Sequence, residues 1–438
     1  MAGQQDLAVS VTAVLNKPSV AVIGGGWAGC TAALTLAEAG ISVTLYEASR
    51  TLGGRARAVE IKGQLLDNGQ HILLGAYEQT IQLVSRLNPA AAQGGLWRLP
   101  LCLKQPPDFS LSCPRLPAPL HLLTGLLGAQ GLSWREKWAA MRWVHSLLRN
   151  PRSPDPQTVS QFTRAQPEKL NRLLWHPLCI SALNTPPEIA SAAVFRSVIR
   201  SAFGGSHHHS DLLLPRRDLT ALLPAPAAAR LTELGGSVHL SSRVTALAAS
   251  ADAITLGTRD ASAVFSHVIV ATAPQHLSGL AASVPELGSV VREVAAYRYQ
   301  PIATGYVQYD PAFRLTHPLF ALSHGPAQFV FDRGQSHGQA GLLAFVASAA
   351  HNLPPDWLDQ AEAQLQRIAH PGSPRWRKCI AEKQATYSCV PDMARPPVRT
   401  AHPRIFLAGD YTAGPYPATL ESATLSGVQS AGALLEQL

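Results

Sequence analysis

The chain has 438 residues, more than one ordinary hydrophobic core accommodates, so two domains are expected. With 46% hydrophobic and 15% charged residues, the composition is that of a globular protein, and no apolar run approaches the roughly 18 residues of a membrane span. The formal charge of +8 comes from scattered basic residues without a nucleic-acid motif, which argues against nucleic acid as a partner.

The first 17 residues contain Asp6, no basic leader and no cleavage signal, so a flexible tail and a cytoplasmic location are expected. Cys30, Cys102, Cys113, Cys179, Cys379 and Cys389 lie far apart without a C-x-x-C pair and read as reduced thiols.

From Ser19 the sequence SVAVIGGGWAGCTAALTLAEAGISVTLYE predicts strand, turn, helix and strand. Gly24 permits a tight turn, Gly26 lets a pyrophosphate approach the backbone, and Gly29 lets helix and strand pack closely. The helix start then offers free N–H groups and a positive dipole end to the phosphate. Glu47 falls eighteen residues past Gly29, near the spacing of roughly 20 at which an acid takes ribose hydroxyls. The following LGGR places Gly53, Gly54 and Arg55 where a guanidinium can fold back onto the same pyrophosphate, although a solvated basic loop has the same composition.

Ser133 to Asn150 reads as a helix with Trp134, Trp138 and Met141 on one face, suited to a cavity wall or to a membrane surface, with the cavity wall preferred. SHHHS, Ser206 to Ser210, reads as a polar loop and not a metal site, because neighbouring histidines cannot converge from a strand and no Cys or carboxylate cluster joins them. LTELGGSVHLSSRVTAL and HVIVATAP read as sheet, the second a buried strand stopped by Pro274. Residues 276–385 alternate strands with a helix near Asp356 to Ile368, which suits a second domain on a mixed sheet. GLLGAQG has the wrong spacing for a second nucleotide fingerprint, so a reductant must come from an external electron donor. RIFLAGD is a buried strand ending in Gly409 and Asp410, and a helix is expected from about Ala418.

GxGxxG, Glu47 and LGGR together resemble the flavoprotein superfamily of amine oxidases, phytoene desaturases and Rab escort proteins. The resemblance implies an α/β fold: a Rossmann-like FAD-binding domain of parallel sheet plus β-meander, discontinuous over 18–90, 220–275 and 396–438. An α+β substrate domain takes 91–219 and 276–395. It implies non-covalent FAD held by Gly24, Gly26, Trp27, Ala28, Gly29, Glu47, Ala48, Gly54, Arg55, Gly69, Gln70, His71, Val244, Gly409, Asp410, Thr419 and Leu420. Gly69 to His71 would pass the isoalloxazine, and the last helix would aim its N-terminus at the flavin's pyrimidine edge. Relatives often carry Gly where Ser422 stands.

DNGQHILLGAY, LWHPLCISALNTPPEIASAAVF, SDLLLPRRDLTALLP, PIATGYVQYD and LAGDYTAGPYPATLESA more closely resemble the hydroxysqualene dehydroxylases, or squalene-associated FAD-dependent desaturases. That resemblance implies reduction of hydroxysqualene to squalene in hopanoid or squalene biosynthesis, on a hydrophobic isoprenoid substrate, with peripheral membrane contact in keeping with such a substrate. Trp175, Leu178, Leu183 and Asn184 are candidate cavity residues. Asp211, Tyr411 and Tyr416 are candidate proton sources or hydroxyl ligands, and each also suits packing or capping. A desaturase or amine oxidase running the hydride the other way, and a non-catalytic prenyl-binding escort, remain open readings.

Overall fold

The computed structural model describes residues 18–91, 95–150 and 156–438; the tail expected over 1–17 lies outside them. Strand β1 (Ser19–Ile23) is almost wholly buried, as an unbroken apolar run between two layers must be. It leads through the glycine turn into helix α1 (Trp27–Glu38), whose small Ala-rich surface buries on nearly every side, and then into β2 (Ser42–Tyr46). β1 lies at the centre of a five-stranded parallel sheet in the order Ser237–His239, β2, β1, His267–Val270 and Ile405–Leu407. Its strands therefore come from three separated stretches of chain. A three-stranded antiparallel meander, Val244–Ala249, Ile254–Thr258 and Ser262–Phe265, follows the first of the late strands.

The second large sheet has five strands in the order Leu319–Ala321, Phe329–Asp332, Leu342–Ser348, Tyr299–Gln308 and Trp376–Tyr387. Every pairing in it is antiparallel, where a mixed sheet is expected. Short connections join the first three strands of this order, and a short connection returns the chain antiparallel. Helix Trp357–Gln366 supplies Trp357, Leu358, Ala361 and Leu365 to its core.

The last helix spans Leu420–Leu435, and Thr419 caps it by accepting from the Ser422 N–H at 3.1 Å. Extended backbone at this cap places the start just past the expected Ala418. The helix lies across α1 at Gly427, where an added Cβ would sit 2.4 Å from the Ala28 carbonyl oxygen. Gly427→Val is expected to force the helices apart and cost about 3 kcal/mol, seen as a lowered melting temperature with flavin content falling in parallel.

Helix α2 (Glu78–Leu87) packs on the last helix, and two helices that pack on each other form a lobe: α3 (Leu120–Gly128) and α4 (Trp134–Arg149). Ser133 and Glu136 cap α4 reciprocally, which fixes its start. Trp134 and Trp138 point to solvent and not into a cavity wall, because Lys137, Ala140 and Leu147 form the face that is buried, with Met141 at its edge.

Candidate active site

The glycine turn is shaped by contact distances. A Cβ on Gly29 would lie 1.9 Å from the Gly24 carbonyl oxygen, so only glycine lets α1 start this close to β1. No side chain caps α1 and its first turn holds no acid, so its positive end can take an outside anion. Gly54 sits against Gly26, and a Cβ there would meet the Gly26 Cα at 3.2 Å. Gly53 bonds the Gly25 carbonyl at 2.8 Å, and the Trp27 indole donates to Ala56 O at 3.0 Å, so the two turns are stitched together. Glu47 accepts from the Gly25 N–H and the Ser49 N–H, both at 2.7 Å, which orients the carboxylate beside the turn. Ala48 follows it, and the Ser242 N–H binds the Glu47 carbonyl at 2.8 Å two residues before Val244.

The late strand reaches the same place. Asp410 accepts from Arg55 Nη2 at 2.6 Å, and Arg55 Nη1 donates to Ala385 O at 2.8 Å. Gly409 N–H donates to Ser426 Oγ of the last helix at 2.8 Å. Arg395 clips the turn by donating to the Asp410, Gly414 and Tyr416 carbonyls at 2.8, 3.0 and 2.8 Å. Ser422 donates to Asp410 O at 3.2 Å, a contact no glycine could make. Glu421, in the first turn of the last helix, faces away and accepts from the Gln79 and Thr80 N–H groups that begin α2. The start of the last helix is seven residues from the Gly427 crossing over Ala28, about 10 Å along the axis. Arg395 carries no motif, and sequence reasoning misses it for that reason.

A buried polar cluster backs the Gly69–His71 segment. Arg333 Nη1 donates to Asp67 Oδ2 at 3.2 Å and to Gln70 Oε1 at 2.7 Å, and Tyr306 donates to Asp67 O at 2.8 Å. Burial holds the Asp67 carboxyl above the ordinary carboxylate range although Arg333 pulls it down. Burial, with the Arg333 charge adding to it, pushes His337 down to about 2, so His337 is neutral at 3.8 Å from Asp67 and forms no ion pair with it. Gln70 is thus committed through its side chain to Arg333 and to His71 O. His71 Nδ1 lies 2.7 Å from the Gly69 carbonyl, and its deep ring keeps some accessible surface. Burial lowers its pKa, so the ring is neutral at pH 7 with the proton on Nδ1.

The family of flavin-containing amine oxidoreductases matches residues 27–435. The chain belongs to that family. The hydroxysqualene dehydroxylase of Rhodopseudomonas palustris is 26% identical over 462 residues, covering 95% of this chain and 98% of the relative. A 15-cis-phytoene desaturase of an Oncidium hybrid is 24% identical over 479 residues, covering 96% of this chain and 78% of the relative. A redesigned putrescine oxidase shares the fold, with a TM-score of 0.71 at 17% identity, covering 96% and 99% of the two chains. The protein is a flavin-dependent oxidoreductase.

In this flavin oxidoreductase the other candidate residues fall in different surroundings. Asp211 is bound to Arg98 Nη1 and His208 Nδ1, each at 3.2 Å, which commits it to an ion pair. Tyr411 is fully buried against Gly409, its hydroxyl has no partner among the described residues, and burial raises its pKa. Tyr416 donates to Ala76 O at 3.2 Å and stands edge-on to Tyr77, 6.0 Å between ring centres, close to the start of the last helix. Asn184 ends its helix in the left-handed region and binds Gln300 O, Thr386 Oγ1 and Ala349 N–H, an anchor between helix and second sheet. Leu183 is core, and Trp175 is buried against Trp143 at 4.5 Å; only Leu178 of the four keeps accessible surface.

Proposed function

We propose that the protein is an FAD-dependent hydroxysqualene dehydroxylase. The observation that supports FAD is the convergence of the Gly24–Gly29 turn, Arg55 and Asp410 beneath the last helix. The uncapped α1 start, the Gly26–Gly54 cradle and the Arg55 guanidinium fit a pyrophosphate. Glu47 and Ala48 would take the adenosine ribose, Val244 the adenine, Gly409 and Asp410 the ribityl chain, and Thr419 and Leu420 the flavin ring. The hold is non-covalent, so acid precipitation should leave the yellow colour in the supernatant. The near-full-length match to hydroxysqualene dehydroxylases supports the substrate.

When bound and reduced, FAD supplies the hydride that replaces the leaving hydroxyl. The chain itself must hold the hydroxyl, exclude water and keep an acid in reach. His71 suits the first task. Its Nδ1–H is held by Gly69 O, so the neutral ring presents Nε2 as an acceptor for a substrate hydroxyl. Tyr416, beside the start of the last helix, suits the delivery of a proton. Tyr416→Phe and His71→Ala should each retain wild-type flavin content while turnover falls roughly a hundredfold. Flavin loss matching the loss of turnover would remove Tyr416 from the site and make His71 a flavin contact instead of a substrate ligand.

The experiment that tests the function is anaerobic. Reduced protein mixed with hydroxysqualene should form one squalene for each flavin oxidised, the electrons otherwise coming from an external donor. The 24% identity to phytoene desaturases favours a second reading, hydride removal from a polyprenoid. Oxidised protein bleached by a saturated polyprenoid, with hydroxysqualene left unchanged by reduced protein, would establish it instead.

A further inference from the structure

We infer that the α3–α4 lobe is a docking surface for an anionic lipid bilayer. Trp134 and Trp138, one turn apart on α4, are 64% and 65% exposed, the most exposed large hydrophobic residues among those described. Leu116, Leu120 and Leu123, before and on α3, are 37%, 49% and 40% exposed. The two helices form one surface. Lys137, between the tryptophans, donates to Leu127 O at the end of α3 at 2.7 Å, and its amine lies 4.9 Å from the Trp134 ring centre. Leu127 is one turn beyond Leu123, so the apolar groups of both helices lie beside this link.

An isolated apolar side chain at a surface is ordinary, but five large ones on one lobe are a patch that water disfavours. The charge around it selects the occupant. From Pro114 to Asn150 the chain carries Arg115, Arg135, Lys137, Arg142 and Arg149 against a single acid, Glu136. That acid is engaged by the Ser133 N–H at 2.6 Å and faces the helix cap. Arg115, Arg135, Arg142 and Arg149 are exposed. Tryptophan with arginine is the pairing of an interfacial helix, the rings at headgroup depth and the guanidiniums on lipid phosphates. No described helix is long and apolar enough to span a bilayer, so the lobe would lie on the surface. Its inner face packs on Leu173, Leu174 and Trp175, which couples the docking surface to the interior. The inference stands on this surface and needs no particular substrate.

The test uses the full-length, flavin-loaded protein and two vesicle preparations, phosphatidylcholine alone and an equal mixture with phosphatidylglycerol. The protein should sediment with the mixed vesicles, less with phosphatidylcholine, and be released by high salt. Trp134→Ala/Trp138→Ala should weaken binding at least about tenfold. Arg135→Glu/Arg142→Glu should weaken it roughly fivefold or more for each charge. Both variants should keep wild-type flavin content and melting temperature, since none of these side chains lies in the core. Wild-type protein that ignores the mixed vesicles, or binds them no better than the tryptophan variant, overturns the inference. So does sedimentation velocity showing a dimer that Trp134→Ala/Trp138→Ala converts to monomer, because a second copy then covers the patch.

Discussion

Asp410→Ala is expected to yield a folded protein that is nearly colourless. Its carboxylate is mostly buried and holds Arg55 at 2.6 Å, and Arg55 is in turn the guanidinium beside the Gly26–Gly54 cradle. Removing the acid frees Arg55 and deletes the acceptor proposed for the ribityl hydroxyls. Loss of a charge-assisted hydrogen bond costs about 1.5–3 kcal/mol, so flavin affinity should fall roughly tenfold to a hundredfold. Arg55 keeps part of its surface in contact with water, which limits the loss of fold stability to a smaller amount than the loss of affinity. Flavin absorbance per protein after purification, and titration of the apoprotein with FAD, measure the effect. Wild-type flavin content in Asp410→Ala would separate the late turn from the cofactor and remove the central support of the proposed function.

Arg333→Met should be strongly destabilising. Arg333 and Asp67 are 0% and 2% exposed, and Arg333 also supplies the donor to Gln70. Deleting one partner of a buried pair leaves an uncompensated charge, at a cost of about 3–5 kcal/mol. The pH dependence has a definite sign. Burial already holds the Asp67 pKa above 3.8, and loss of the Arg333 attraction raises it further. The folded variant then binds a proton where the unfolded chain has released it, so its stability falls as pH rises. The deficit relative to wild type should be smallest below the ordinary carboxylate value and grow as pH climbs through the raised one. Melting temperatures across that window test it; a deficit independent of pH would place the Asp67 charge elsewhere. Asp67→Asn in the Arg333→Met background should recover part of the loss.

The parts of the protein written locally were legible in the amino-acid order. Gly24, Gly26, Gly29 and Glu47 have an arrangement whose steric reasons are short-range, and the turn between β1 and α1 follows them. RIFLAGD, as a continuous apolar run closed by Gly-Asp, foretells its strand and the turn beyond it. Long-range contacts were not legible. Nothing local pairs Arg55 with Asp410 across 355 positions, joins Arg333 to Asp67 across 266, or turns Gln70 toward Arg333. Arg395 and Arg333 carry no motif, and they matter only because folding brings carbonyls and a carboxylate to them.

The amphipathic helix over Trp134 to Arg149 shows the same division. Its periodicity and its Ser133–Glu136 cap are properties of adjacent residues, so helix formation could be read directly. Which apolar stripe turns inward could not, since the Trp134–Trp138 stripe and the Ala140–Leu147 stripe are equally good partners for a core until neighbouring elements occupy one side. By itself the order of amino acids determined the first strand–turn–helix–strand unit, the Ser133-capped helix and the late Gly-Asp turn, because backbone sterics and hydrophobic period act over a few residues. The tertiary structure alone decided which side chains meet, which charge is compensated and which tryptophans remain in water, because those depend on segments that only folding makes neighbours.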